Sequence, residues 1–170
     1  MRRHQDGRFR TVASVAAVLF FGPVACESNG PTAVDELGFG TVQLSGAVER
    51  SAQLPAVVTP GIVVAEDSVL VFVSVGGITD DLVVSLPVVT PPDPAPGTFP
   101  VVSSSFSASV RVDGGVRGEG RVFDAVSGSI QLDSILETVW VGSFAFLARD
   151  STAAEVQATG TFRAATPASL

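Results

Sequence analysis

Cys26 carries the only thiol of this chain, and seventeen carboxylates hold most of its remaining capacity for acid–base chemistry. There is no lysine and no tyrosine, and the single histidine, His4, lies in a basic leader. Beyond that leader, Ser-His-Asp, Cys-His and Ser-Lys sites, Schiff-base lysines and His/Cys zinc sites are therefore excluded. Paired carboxylates remain, as in a glycosidase or a calcium site. The adjacent pairs are Glu66-Asp67 and Asp80-Asp81. Neighbours on a strand point to opposite faces, so neither pair makes a dyad by itself. No D-x-D-x-D-G calcium loop is present. Asp93, Asp113 and Asp150 also fall where the apolar pattern breaks, as turn acids do. The sequence accordingly assigns no catalytic, cofactor-binding or metal-ligating residue. Trp140 could line a cleft, but an aromatic on an apolar strand reads as core.

The surroundings of Cys26 give it a different role. Arg2, Arg3, Arg8 and Arg10 precede an uncharged, mostly apolar run from Thr11 to Phe21, then Gly22-Pro23 and the small Ala25. That is the layout of a secretory signal peptide. The run is too short to span a bilayer, which takes about 20 apolar residues. A cysteine directly after the small residue resembles the lipobox of bacterial lipoproteins. The resemblance implies that Cys26 is lipidated on its sulfur and becomes the new N-terminus; Pro23 stands where lipoboxes usually carry leucine. The alternative is an ordinary signal peptide cut within Ala25–Gly30, leaving a free secreted domain. Arg2-Arg3 hints at a twin-arginine signal, without the polar-apolar context that should follow it.

Past residue 25 the chain has six arginines against sixteen acids, a formal charge of −10 over 145 residues. Such a surface repels nucleic acid and offers no polybasic patch to a membrane, so lipid on Cys26 would be the membrane contact. The length suits one domain, with core enough to need no disulfide. The expected organisation is a signal peptide over 1–25, a flexible tether over 26–37, a β-domain over 38–166 and a tail over 167–170.

Abundant valine and phenylalanine, with seventeen glycines and eleven prolines as punctuation, favour strands. From Gly38 onward the apolar period is two. Thr41–Glu49 reads as a half-buried strand with Val42, Leu44, Gly46 and Val48 on one face. Arg50–Pro60 reads as a loop. Ile62–Ala65, Ser68–Val75 and Leu82–Leu86 read as strands, with Glu66-Asp67 as a turn and Ser68–Val75 covered on both faces. Pro87–Pro100 holds six prolines and reads as a surface crossover, a polyproline ligand lacking the basic residue it usually wants. Asp113-Gly114 between alternating runs signals a hairpin whose return strand starts at Val116. Its polar face would hold Arg111, Arg117, Glu119 and Arg121. Ser129–Leu132, Thr138–Ala148 and Glu155–Ala164 complete the set, the middle one apolar on both faces and joined to the last by a turn at Arg149–Ala153. Gly97-Thr98-Phe99, Gly142-Ser143-Phe144 and Gly160-Thr161-Phe162 recur at unequal spacing; a glycine two residues before an aromatic shares its face and leaves room for a neighbour's ring.

Residues Gly128–Ala164, with VWVGSFAFLARD followed by AEVQATGTFRA, resemble the end of small bacterial lipoproteins of unknown function. These pair a G-x-F-x-F strand with a closing V-x-x-x-G-x-F strand after a lipobox leader. The resemblance implies an all-β lipoprotein domain and carries no catalytic residue across. The expected fold is an all-β antiparallel β-sandwich, immunoglobulin-like or related, after a signal-peptide helix, with a partly open β-barrel as the alternative. The expected role is a lipid-anchored, non-catalytic binding or structural module at the cell envelope, with a protein or glycan partner. The alternatives are a carboxylate-dependent glycan-acting enzyme, a calcium-binding module and a soluble secreted form.

Overall fold

The computed structural model describes residues 38–166 apart from Ile78, Ser104 and 114–119. Cys26, the leader and the tether lie outside the described residues. Nine strands follow one another with no helix among the described residues: β1 Gly38–Gly46, β2 Arg50–Ala65, β3 Ser68–Val75, β4 Leu82–Thr90, β5 Gly97–Pro100, β6 Ser109–Val112, β7 Arg121–Leu136, β8 Val139–Arg149 and β9 Glu155–Ala165. The neighbour order is β5-β7-β6-β4-β3-β2-β1-β9-β8, and β8 pairs back onto β7. That last ladder closes the circuit. The protein is an eight-stranded antiparallel β-barrel, not the expected two-sheet sandwich. The barrel alternative fits, closed rather than partly open.

Nine strands fill eight places because β5 and β6 share one. Gly97 to Pro100 pair with Leu132 to Ser129, and Ser109 to Val112 with Asp124 to Arg121, along the same side of β7. Between them the backbone holds on through Val101 N–H to Gly128 O, Ala108 N–H to Val101 O and Ala125 N–H to Ala108 O. Residues 102–107 form an excursion from one interrupted strand. Opposite it, β7 bends at a bulge between Ala125 and Ser127, with Gly128 at φ +134°.

The sandwich expectation failed on strands that looked apolar on both faces. In β8, Trp140, Gly142, Phe144, Phe146 and Ala148 are buried, whereas Ala145 is exposed and Val141 and Leu147 are only half-buried. A one-layer wall needs a single buried face, and the other side of β8 stays partly or wholly in water. In β3, Val71, Val73 and Val75 face inward, with Phe72 half-buried on the outer side. The expected Arg50–Pro60 loop is instead the first eleven residues of a sixteen-residue strand. Pro60 fits because the β2–β3 register shifts between Thr59 and Ile62, so it sits at a bulge. β4 likewise runs past Pro87 to Thr90. Pro87 falls on a stretch of β4 with no partner strand on its outer edge, where a missing N–H is tolerated. The return strand of the hairpin begins at Arg121, and the expected turn lies partly outside the described residues.

The interior is filled. Phe123, Ile130, Leu132, Leu44, Leu82, Leu86 and a set of valines have essentially no exposed surface. Thr90 is the one buried polar residue among the described residues. Filling depends on small residues opposite large ones. Gly142 pairs with Phe162, and Phe144 with Gly160, across β8 and β9. A Cβ on Gly142 would lie 2.8 Å from Phe162 Cζ, and one on Gly160 would lie 2.5 Å from Phe144 Cζ. The two glycine–aromatic motifs thus interlock reciprocally, each supplying the gap that the other's ring occupies. The rows continue around the wall as Gly97–Leu132–Gly142–Phe162–Gly40–Leu54 and Phe99–Ile130–Phe144–Gly160–Val42–Ala52. Alternation of small and large side chains is how a barrel this narrow becomes a packed core.

Gly160→Ala should therefore destabilise the barrel by about 3 kcal/mol or more, because its Cβ meets both the Phe144 ring and the Thr41 carbonyl oxygen. Gly97→Ala meets nothing closer than its own Phe99 ring at 3.8 Å and should change stability by no more than about 0.5 kcal/mol. Urea unfolding of the two variants measures the contrast, and equal losses would show that the motif is not a packing device.

Candidate functional site

Two ends of the barrel follow from the chain direction. Gly38, the β2–β3, β4–β5 and β7–β8 turns and the end of β9 lie at one end, termed the Gly38 end. The β1–β2, β3–β4, β6–β7 and β8–β9 connections lie at the other, termed the Asp150 end.

The acids singled out from sequence are at connections and are divided between these ends. Glu66-Asp67 and Asp93 are at the Gly38 end; Asp80-Asp81, Asp113 and Asp150 are at the Asp150 end. Several are occupied by local structure. Asp80 Oδ2 accepts from Gly77 N–H at 2.5 Å, and Glu49 Oε1 accepts from Gly46 N–H at 3.0 Å. Asp113, at φ +60°, donates its N–H to Asp81 O at 2.6 Å and pairs with Arg50 at 3.2 Å. This joins two turns that sequence left separate. Among the described residues no three of His, Cys, Asp and Glu are placed to hold a metal ion.

The strongest polar constellation is one that sequence reasoning missed. Asp150, its side chain nearly buried, accepts from Arg121 through Nε at 3.2 Å and Nη2 at 2.7 Å on one oxygen. Its other oxygen accepts from Thr152 N–H, Thr152 Oγ1 and Ala154 N–H at 2.7–3.0 Å. The Arg121 guanidinium, then the Thr152 hydroxyl, hold the Asp150 carboxyl well below the usual carboxylate range; burial opposes them and is outweighed, and the Ala154 and Thr152 amides add to the depression. Arg121 also lies over the Phe123 ring, 4.8 Å from its centroid, at the mouth of the core. Twenty-nine residues separate Arg121 from Asp150, and no local pattern could have paired them. The expected polar face of the hairpin is also corrected. Arg111 points outward, Arg121 shares the side of Phe123, Val122 is exposed, and Arg117 and Glu119 lie outside the described residues. Phe123 is the cause, since its ring claims the interior and turns the strand by one residue. Trp140 is buried in the core.

A second feature lies in the wall. The β4–β6 ladder stops at Ser85–Ser109, and β5 pairs with β7 alone, so Leu86–Thr90 and Gly97–Pro100 pass each other without a ladder. A groove of about 40 Å³ follows this seam, lined by Pro87, Val89, Phe99, Pro100, Ser103 and Phe106. The Ser103 hydroxyl braces the excursion, accepting from Phe106 N–H at 3.0 Å and lying 3.1 Å from Phe106 O. No titratable side chain lines the groove, and it has room for two or three waters or the tip of an apolar side chain. It can accommodate a contact; it cannot do acid–base chemistry. No family model, curated protein or solved structure matches the chain.

Asp150 generates a pH prediction. A carboxyl depressed by folding contributes stability above its unfolded pKa of about 3.9, and that contribution is lost as pH falls through the folded value. Asp150→Asn should lower the urea midpoint at pH 7 and flatten its decline below about pH 4. An acid limb as steep as that of the wild type would assign the pH dependence to other groups.

Proposed function

We propose that this chain is an exported lipoprotein, anchored to a cell-envelope membrane through lipid on Cys26, whose barrel serves as a non-catalytic binding or structural module. The observation that carries the reading is the position of the only cysteine, directly after a basic segment, a short apolar run and Ala25. The fold is compatible with it in two respects. The first described residue, Gly38, opens β1 at one end of the barrel, so a tether over 26–37 would leave the Asp150 end free for a partner. The filled interior moves any recognition to the outer surface, to the rim around Arg121 and Asp150 or the groove at the β4–β5 seam. The resemblance of Gly128–Ala164 to the closing strands of small bacterial lipoproteins belongs to the same reading.

Mass spectrometry of the mature N-terminus is the test. The expected species begins at Cys26 and carries acyl chains, each buried methylene adding about 0.8 kcal/mol to membrane affinity, so that two or more chains hold stably. Cys26→Ser should release the protein from the membrane fraction. A mature chain that starts beyond Cys26, or carries it unmodified, refutes the reading.

A further inference from the structure

Apolar surface is distributed unevenly over the two ends of the barrel. Of the ten large hydrophobic residues that remain exposed among the described residues, seven lie at or beside the Gly38 end, Ile62, Val63, Val64 and Leu136 among them. All three ion pairs among the described residues, Arg50–Asp113, Arg121–Asp150 and Arg149–Glu155, lie at the Asp150 end.

The apolar end has a definite shape. β1 covers β2 only as far as Ala56, and after one bridge from Val57 to Ala165 the rest of β2 pairs with β3 alone. Past the bulge at Pro60-Gly61, the stretch Ile62–Ala65 and its partners Ser68–Leu70 form a ribbon whose β3 side stays joined to β4 as far as Val69–Thr90 and whose β2 edge is free. Successive side chains of a strand point to opposite faces. Ile62, Val63 and Val64 are 63%, 72% and 41% exposed, so both faces of this free edge of β2 are open, while Leu70 on the β3 side is buried. A soluble surface does not ordinarily keep three consecutive aliphatic residues in water on an unpaired edge.

We propose that this end of the barrel, led by Ile62, Val63 and Val64, rests in the interfacial layer of the lipid bilayer that holds Cys26. The inference rests on the anchoring proposed above, and the length of the tether supports it. Residues 26–37 span at most about 40 Å when fully extended and a root-mean-square distance of about 20 Å as a flexible chain. Both measures start from Gly38, at the same end as the ribbon. Anchoring therefore holds the exposed aliphatic residues at high local concentration against the bilayer while the ion pairs face away. The acids of this end fix the kind of lipid surface. Glu66 and Asp67 at the ribbon turn and Glu137 beside Leu136 disfavour anionic headgroups, so the ribbon lies along a zwitterionic surface with its carboxylates in the headgroup water.

Fluorescence quenching on the lipidated, full mature chain tests this. Pyrene is attached at Val63→Cys or, as the reference, at Ser151→Cys in the β8–β9 turn; the lipidated sulfur of Cys26 takes no label. Both positions are exposed. The proteins are reconstituted into phosphatidylcholine vesicles that carry a nitroxide just below the headgroup. Contact within the outer 5–10 Å of the bilayer predicts quenching at position 63 about threefold or more that at position 151. Equal quenching at the two positions, with Cys26 shown by mass to be lipidated, overturns the inference and leaves the anchor standing. Pyrene excimer emission at position 63 that survives dilution into excess vesicles also overturns it, because a second copy then covers the ribbon. A Cys26 found unmodified removes the anchor and the inference together.

Discussion

Two rings that need somewhere to go govern this barrel. Phe144 and Phe162 point into a space just wide enough for side chains, from adjacent antiparallel strands, and each finds its gap at a glycine on the other strand. The reciprocity fixes the β8–β9 register more firmly than the hydrogen-bond ladder does. A slip of β9 by one residue would turn Phe162 to solvent and leave Phe144 without its gap, and a slip of two would set ring against ring. The same rows run through Leu132 and Ile130 on β7 and through Gly40 and Val42 on β1, so the constraint reaches strands on both sides. Burial of each ring stabilises the fold by about 1.5–3 kcal/mol only while these gaps exist.

A filled interior has a cost elsewhere. The chain reaches closure with one place occupied by two short strands, and the mismatch appears as the bulge in β7, the excursion over 102–107 and the unladdered seam beside Pro87. The Asp150 end is closed over Phe123 by Arg121 and the carboxylate that grips it. The Gly38 end has no such closure, and β2 there runs on beyond β1 and β9 with a free edge and aliphatic residues uncovered. One end is therefore polar and braced and the other apolar and extended, an asymmetry that matches a module tethered from one side.

Much of the strand content is legible because a period of two needs only local sequence, and two of the three Gly-x-Phe copies are the packing devices that the pattern implies, whereas Gly97 makes room for no neighbour's ring. The number of layers was not legible. Val141 and Leu147 on the outer side of β8 look like core residues in one dimension, and only closure of the wall makes a single buried face sufficient. Prolines misled for a related reason. Pro60 sits on a bulge and Pro87 on an unpaired edge, and both positions are properties of the neighbouring strands. The Arg121–Asp150 pair was invisible because its partners meet only after β7 has been placed beside β8. Phe123, not the arginine, decides which way β7 faces.

Native-state amide hydrogen exchange tests the central claim, that the β8–β9 interlock holds the barrel and the seam is its weak line. Amides of Phe144, Ala158 and Phe162 should exchange only through global unfolding, at least about a hundredfold slower than those of Val88–Thr90 and the Ile62–Ala65 ribbon. Exchange at Val88–Thr90 as slow as at β8–β9, or β8–β9 amides opening before the rest of the barrel, would contradict the account.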